Sequence, residues 1–218
     1  LPVESGAAFF EFISMELVPF INKTFRTENF KVAVGHGKTA NFINYYLLKG
    51  VPLFQSYIVL SPELAPDMAN YLTEVFPKLE QKTFYYLASA TNDASNIHEQ
   101  TEALSNALKP IENNNVLKTF ETFDGPSHYT LPTHAIPKAL ESIFLVFQPI
   151  SKKEYKETIL KLEGNPVDYL TEKYQMIDEL FGIKKPILIN DFKAIEAAIK
   201  KKENWEYFED LGKLARKE

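Results

Sequence analysis

Val32-Ala33-Val34-Gly35-His36-Gly37-Lys38-Thr39-Ala40 is the stretch on which the fold turns. Residues 31–34 form a short β-type run that ends in Gly35. Beyond Gly37 the period changes. Phe42, Ile43, Tyr46 and Leu47 fall on one helical face, and Gly50 stands where a helix C-terminal glycine belongs. A strand that turns sharply into a helix is the unit of a parallel sheet. The unit recurs downstream: strands are expected at 54–60, 83–89 and 116–123, with helices at 66–76, 97–108 and 136–147. The connections are long enough for crossovers, so the rhythm predicts an α/β fold, a parallel sheet covered by helices on both faces.

Upstream, Phe9, Phe12, Ile13, Leu17, Phe20 and Ile21 keep helical spacing, which predicts a helix over 9–21. Downstream the composition changes near Pro149. From Ser151 onward the pattern gives helices at about 151–162, 166–181, 188–202 and 204–217, separated first by Gly164-Asn165-Pro166 and then by Gly182. Leu170, Tyr174, Ile177, Leu180, Ile195 and Ile199 form inner stripes. The division expected is an α/β domain over 1–150 and an all-α helical segment over 151–218, whose helix pairs have the length of a tetratricopeptide-like array.

Composition narrows the function classes. At 45% hydrophobic and 24% charged residues, the chain of 218 can bury a core and is not expected to be disordered. A net charge of −5 argues against nucleic acid, which needs a basic face. The run Lys200-Lys201-Lys202 is a helix-end patch favourable with the helix dipole. With no cysteine, thiolate zinc sites and cysteine nucleophiles are excluded. No His, Asp and Glu group has metal-ligand spacing, so no metal or other cofactor is expected. No apolar run approaches the ~20 residues of a membrane span. Leu1 rather than Met opens the chain, which reads as a processed or truncated product and leaves cytoplasmic and exported locations both open.

Put a serine at position 37 and a glycine at position 39, and the quoted stretch becomes the G-x-S-x-G nucleophile elbow. Around it stand Glu16-Leu17-Val18-Pro19-Phe20-Ile21 and Phe25-Arg26-Thr27, a second strand running into Ser61-Pro62, and Asp124-Gly125-Pro126-Ser127-His128 after the last strand. In that order these phrases resemble the esterases of the enterochelin-esterase and esterase D type, in the α/β-hydrolase superfamily, over about residues 7–150. The resemblance implies a site. His128 would be the general base, Asp93 the acid that orients it, and the Lys38 backbone N–H an oxyanion donor. Gly37 would be the nucleophile position, and it is vacant. The resemblance also implies several strands ahead of the elbow. None precedes it here, so N-terminal strands are expected to be missing, and the exposed edge to be covered by a further segment or another copy of the chain.

Glycine at 37 leaves His128 nothing to deprotonate except water. It also tolerates the strained elbow backbone better than serine would. Thr39 is expected to crowd a tight elbow. Other readings stand beside these. Asp93 fits equally as a helix cap, with Glu99 or Asp124 as other acids. His36 reads as a packing residue beside the elbow; His98 and His134 read as surface or second-shell positions. As substitute nucleophiles, Thr39 should point away from His128, Ser61 lacks an elbow, and Lys38 lacks a cause for a lowered pKa. Trp205, Tyr207 and Phe208 are apolar enough to seek cover. Three functions are consistent with this: a degenerate esterase retaining a cleft for a small ester or related ligand, an active carboxylic-ester hydrolase altered at position 37, or a helical interaction module on a hydrolase scaffold.

Overall fold

The structure, a computed structural model, describes Pro2 and residues 5–217. It opens with α1 (Ser5–Phe12), a π-helical turn (Ile13–Leu17) and α2 (Val18–Thr24). The expected helix over 9–21 is therefore present but carries a bulge, where the Val18 N–H reaches back to the Ile13 carbonyl. Pro19 explains the bulge: it donates no hydrogen bond, and its ring would press on the carbonyl four residues earlier.

Four β–α units follow. They are β1 (Val32–His36) with α3 (Lys38–Asn44), β2 (Ser56–Leu60) with α4 (Met68–Val75), β3 (Thr83–Asn92) with α5 (Ser95–Leu108), and β4 (Val116–Ser127) with α6 (Leu131–Ile143). All neighbouring strands are parallel, in the order β1-β2-β3-β4. Two boundaries differ from expectation with consequences. Strands β3 and β4 run on to Asn92 and Ser127, paired across a register shift between Ala90 and Asn92, so each delivers a site residue directly from its end. Helix α6 begins at Leu131 rather than 136 and stops at Ile143 rather than 147. Pro132 lies in its first turn, where a missing N–H leaves no acceptor unserved.

Strand side chains alternate between faces. On one face Ala33, Tyr57, Val59, Tyr85 and Leu87 join α3, α4 and α5 through Ala40, Ile43, Leu72, Leu104 and Leu108, with Phe10 of α1 stacked on Tyr46 at 4.3 Å. On the other face Ile58, Leu60, Tyr86 and Ala88 are buried, and α6 packs across β2, β3 and β4. Leu131, Ala135, Ala139 and Ile143 recur every fourth residue on α6 and are all buried. Each large apolar side chain covered in this way contributes about 1.5–3 kcal/mol before entropy is counted. Every residue of β2 is buried, as a central parallel strand requires. Strand β1 lies at the end of the described sheet, and Val34 on it is 47% exposed.

Compact units divide at Ile143 and Phe144 rather than at 150 and 151. Aromatic packing ties residues 144–147 to the second unit: Phe144 stacks on Phe181 at 5.5 Å between rings, and Phe147 meets it edge-on at 4.7 Å. The second unit contains α7 (Lys152–Glu157), α8 (Pro166–Phe181), α9 (Ile189–Lys202) and α10 (Phe208–Lys217). The residues that separate its helices in the sequence serve as their caps. Asn165 accepts from the Val167 N–H at 2.9 Å with Pro166 at the first helical position, and Gly182 closes α8 in a left-handed conformation at φ +67°. Fully buried Asp191 accepts from the Ile150 N–H at 2.8 Å and the Tyr174 hydroxyl at 3.0 Å. The expected helix over 204–217 begins instead with a 3₁₀ turn, Trp205–Tyr207. Tyr207 and Phe208 pack against this unit's core, and Trp205 stacks on Phe208 while remaining exposed.

Candidate active site

Parallel strands bring their carboxyl ends to one edge of a sheet, where α/β folds place ligands. Gly37 follows β1, Ser61 and Glu63 follow β2, Asp93 follows β3 and His128 follows β4.

The turn from β1 into α3 is held by its backbone. Gly37 has φ +59° and ψ −123°, a region close to glycine's own. It is pinned on both sides: its N–H donates to the Leu60 carbonyl at 3.0 Å, and its carbonyl accepts from Ala40 at 3.1 Å and from Glu63 at 3.2 Å. Helix and strand approach most closely at Gly35. A Cβ there would lie 2.5 Å from the Thr39 carbonyl oxygen and 2.6 Å from the Ala40 backbone. The crowding expected at Thr39 is absent. That side chain is exposed, and its hydroxyl accepts from the His36 N–H and donates to the His36 carbonyl, both at 2.9 Å. The tight contact runs from the strand's glycine to the helix backbone, so residue 39 is free to point outward.

Asp93 and His128 meet. His128 Nδ1 lies 2.8 Å from Asp93 Oδ1, with the Asp93 side chain fully buried and that of His128 21% exposed. A carboxylate only accepts, so Nδ1 is the donor of this pair. The Ala94 N–H donates to Asp93 Oδ1 at 2.8 Å, and the Ser61 hydroxyl donates to Oδ2. The capping and orienting readings of Asp93 thus coexist in one side chain. Asp124, the other candidate acid of this region, accepts instead from Thr91 at 3.0 Å.

Gly37 faces the ring. A Cβ built on it would stand 3.5 Å from His128 Nε2 and 3.4 Å from Glu63 Oε1. His36 packs on His128 with ring centroids 4.2 Å apart. Burial first, and then the neighbouring His128, hold the His36 imidazole below its usual value. The Lys38 N–H is one of the first-turn donors of α3 that no helical carbonyl can serve. Two residues escaped the sequence reading in these roles. Ser61 was weighed as a nucleophile but bonds the acid, held at φ +43°. Glu63 was not singled out; the signal for it was its position just past the Ser61-Pro62 strand end. Among the described residues no three His, Asp or Glu side chains are arranged to hold a metal ion. No described helix is long and apolar enough to cross a membrane.

No protein-family model and no curated protein matches the chain. Solved structures do. An uncharacterised protein from Capnocytophaga ochracea is 29% identical, with a TM-score of 0.86 over 97% of this chain and 60% of that one. An IroE-like serine hydrolase from Shewanella oneidensis is 18% identical, with a TM-score of 0.66 over 96% of this chain and 66% of that one. A feruloyl esterase module from Clostridium thermocellum is 16% identical, with a TM-score of 0.54 over 63% of this chain and 58% of that one. The chain thus spans less than two thirds of each of these proteins, and its four-stranded parallel sheet flanked by helices, with a helical C-terminal region, is an α/β-hydrolase-type fold.

Proposed function

We propose that this chain is a degenerate esterase, which keeps the acid and base of a serine hydrolase of the enterochelin-esterase and esterase D type and has lost the nucleophile. The observation that carries the reading is the vacancy at Gly37: an elbow backbone whose missing side chain would begin 3.5 Å from His128 Nε2. In this reading Asp93 orients His128, His128 is the base, Lys38 offers its N–H to an oxyanion, and the cleft receives a small ester or related ligand. Nothing nearby replaces the serine. The Ser61 hydroxyl is engaged by Asp93, and the Thr39 hydroxyl by the His36 backbone. Acyl transfer would need an oxygen within hydrogen-bond reach of Nε2, and Gly37 provides none.

The test is chemical. p-Nitrophenyl acetate hydrolysis should stay near background, and a fluorophosphonate probe should leave the intact mass of the chain unchanged. Gly37→Ser places a hydroxyl beside Nε2 and should acquire a probe adduct that His128→Ala removes. Its turnover should remain low, because the elbow contributes one oxyanion donor and losing one donor of a pair costs about 10²–10³ in rate. Labelling of the unaltered chain that depends on His128 would mean a different nucleophile is at work, and would end the degenerate reading.

We further infer that the β1 edge is covered in the assembled protein, by a second copy or by additional polypeptide. An open edge with Val34 exposed invites strand pairing. Sedimentation should show a species heavier than one chain for residues 1–218; a monomer that stays soluble at high concentration would contradict it.

A further inference from the structure

Helices α9 and α10 border an open trough of about 570 Å³ in the second unit. Ile189 and Phe192 line it from α9, and Phe208, Leu211, Gly212 and Ala215 from α10. Its volume falls within the roughly 300–1,000 Å³ usual for small-molecule sites. Ile189 is 72% exposed, an apolar side chain left to water. Charge is scarce along the walls: Lys193 and Glu196 are the charged lining residues, and Glu196 is engaged by Lys200 at 2.6 Å. Gly212 stands in the middle of α10, where glycine costs helix stability relative to alanine. A Cβ on it would meet nothing within 4 Å. Packing among the described residues therefore does not require this glycine; what it provides is bare helix backbone in the wall of the trough.

A second cavity, of about 400 Å³, shares Pro186 and Ile187 with the trough. Its lining has the opposite character: Lys184, Lys185 and Lys217 stand there with one carboxylate, Asp178. Among the described residues Lys184 and Lys217 make no hydrogen bond or ion pair. Lys185 donates to the Phe147 carbonyl at 3.3 Å, which uses one of its three hydrogens. An apolar trough that adjoins a lysine-rich cavity fits an alkyl chain ending in an anion. Such a chain needs no polar partner along its length, which matches walls this poor in charge. A second copy fits less well, because a two-fold contact would set the same lysines against each other.

We propose that the α9–α10 trough binds the alkyl chain of a long-chain carboxylate, whose head reaches the lysines of the adjoining cavity. The site lies wholly in the second unit and does not depend on the reading of Gly37. Exposed ion pairs are individually weak, so the chain supplies most of the affinity and the lysines supply the preference for an anion.

The experiment titrates the full 218-residue chain with sodium dodecanoate, below its critical micelle concentration and at constant ionic strength, and follows ¹³C-labelled isoleucine methyls by NMR. The Ile189 methyl should shift saturably, with sub-millimolar affinity. Octanoate, which is shorter, should bind about tenfold more weakly, since each buried methylene adds affinity. Dodecyltrimethylammonium keeps the chain and reverses the charge; it too should lose about tenfold. Lys184→Gln combined with Lys217→Gln, both at exposed positions, should weaken dodecanoate about fivefold and leave the urea midpoint in place. Gly212→Leu should fill the trough and abolish the shift while the urea midpoint holds or rises, because leucine favours a helix more than glycine does. No saturable shift at Ile189 overturns the proposal. So does equal affinity for octanoate or for the trimethylammonium surfactant, or an unchanged affinity in the lysine variant. Unchanged binding in Gly212→Leu would put the chain on another apolar face and overturns it as well. Self-association of the unliganded chain that Gly212→Leu abolishes would make the occupant a second copy. Binding of an acidic amphipathic peptide of leucine and glutamate, where dodecanoate fails to bind, would make it a helix. Either result also ends the proposal.

Discussion

The β1 end of the candidate site and the β3–β4 end are held in different ways. At β1 the geometry lies in the backbone: Gly37 holds φ +59° and ψ −123°, with both its N–H and its carbonyl bonded, and carries no side chain. At β3 and β4 the geometry lies in side chains. Asp93 is buried, bonded by His128, Ala94 and Ser61, and His128 is backed by His36. The contrast separates two causes of site geometry. A strained turn is fixed by the packing of strand against helix, which does not need the residue at its apex. An oriented imidazole is fixed by side chains, each of which must be present.

The first way to break this comparison is through Gly35. If packing shapes the elbow, then Gly35→Ala should be the most damaging single change here. Its Cβ would meet Thr39 and Ala40 backbone atoms at 2.5–2.6 Å, and backbone cannot rotate away. Overpacking of this kind costs about 3 kcal/mol or more when no side chain can yield. Gly37→Ala meets its neighbours at 3.4–3.5 Å and bears only the positive φ, about 1–3 kcal/mol. Urea unfolding of both variants should place Gly35→Ala well below Gly37→Ala. The reverse order would show that strain at residue 37, not close approach at residue 35, dominates the elbow.

A second prediction sharpens the other side. Asp93→Ala removes a buried acceptor from three donors, one of them the His128 ring. Losing these bonds, of which only the Ser61 hydroxyl is a buried donor, should destabilise by about 1–3 kcal/mol, and Ser61→Ala by about 1. The two losses should fall short of additive when combined, since Ser61 acts through Asp93. A fully additive double variant would mean that the serine stabilises its strand end on its own account.

These same residues show how much could be read beforehand. The β–α alternation was legible because period is local; that Asp93 meets His128 and Gly37 stands beside the ring is visible only once the strand ends are brought together. What Thr39 does was not. Whether a side chain crowds a turn depends on which backbone atom it faces, and the β-branched residue points outward and bonds the His36 backbone instead. Glu63 was hidden for a related reason: a carboxylate one residue past Ser-Pro looks like any solvated acid until β1 and β2 are aligned and the glycine opposite leaves room. The packing of Phe144 and Phe147 was hidden because their partner, Phe181, lies 34 or more residues away in sequence.

The smallest expected effect concerns the ring behind His128. His36 is held below its usual value of 6.5 mainly by burial and next by His128, while Asp93, Glu63 and a hydrogen bond to the His128 backbone pull weakly the other way. A folded-state pKa below the unfolded one means that the unfolded chain binds more protons between the two values. The contribution is therefore complete above 6.5 and is lost as pH falls through the lower, folded value. Stability measured by urea unfolding should decline from about pH 7 to about pH 5, the range in which a histidine titrates. His36→Gln should flatten that decline while leaving the carboxylate-driven loss at lower pH unchanged. Parallel curves for the two proteins would show that His36 keeps its ordinary affinity for the proton, and that the packing of the two rings leaves His128 electrostatically alone.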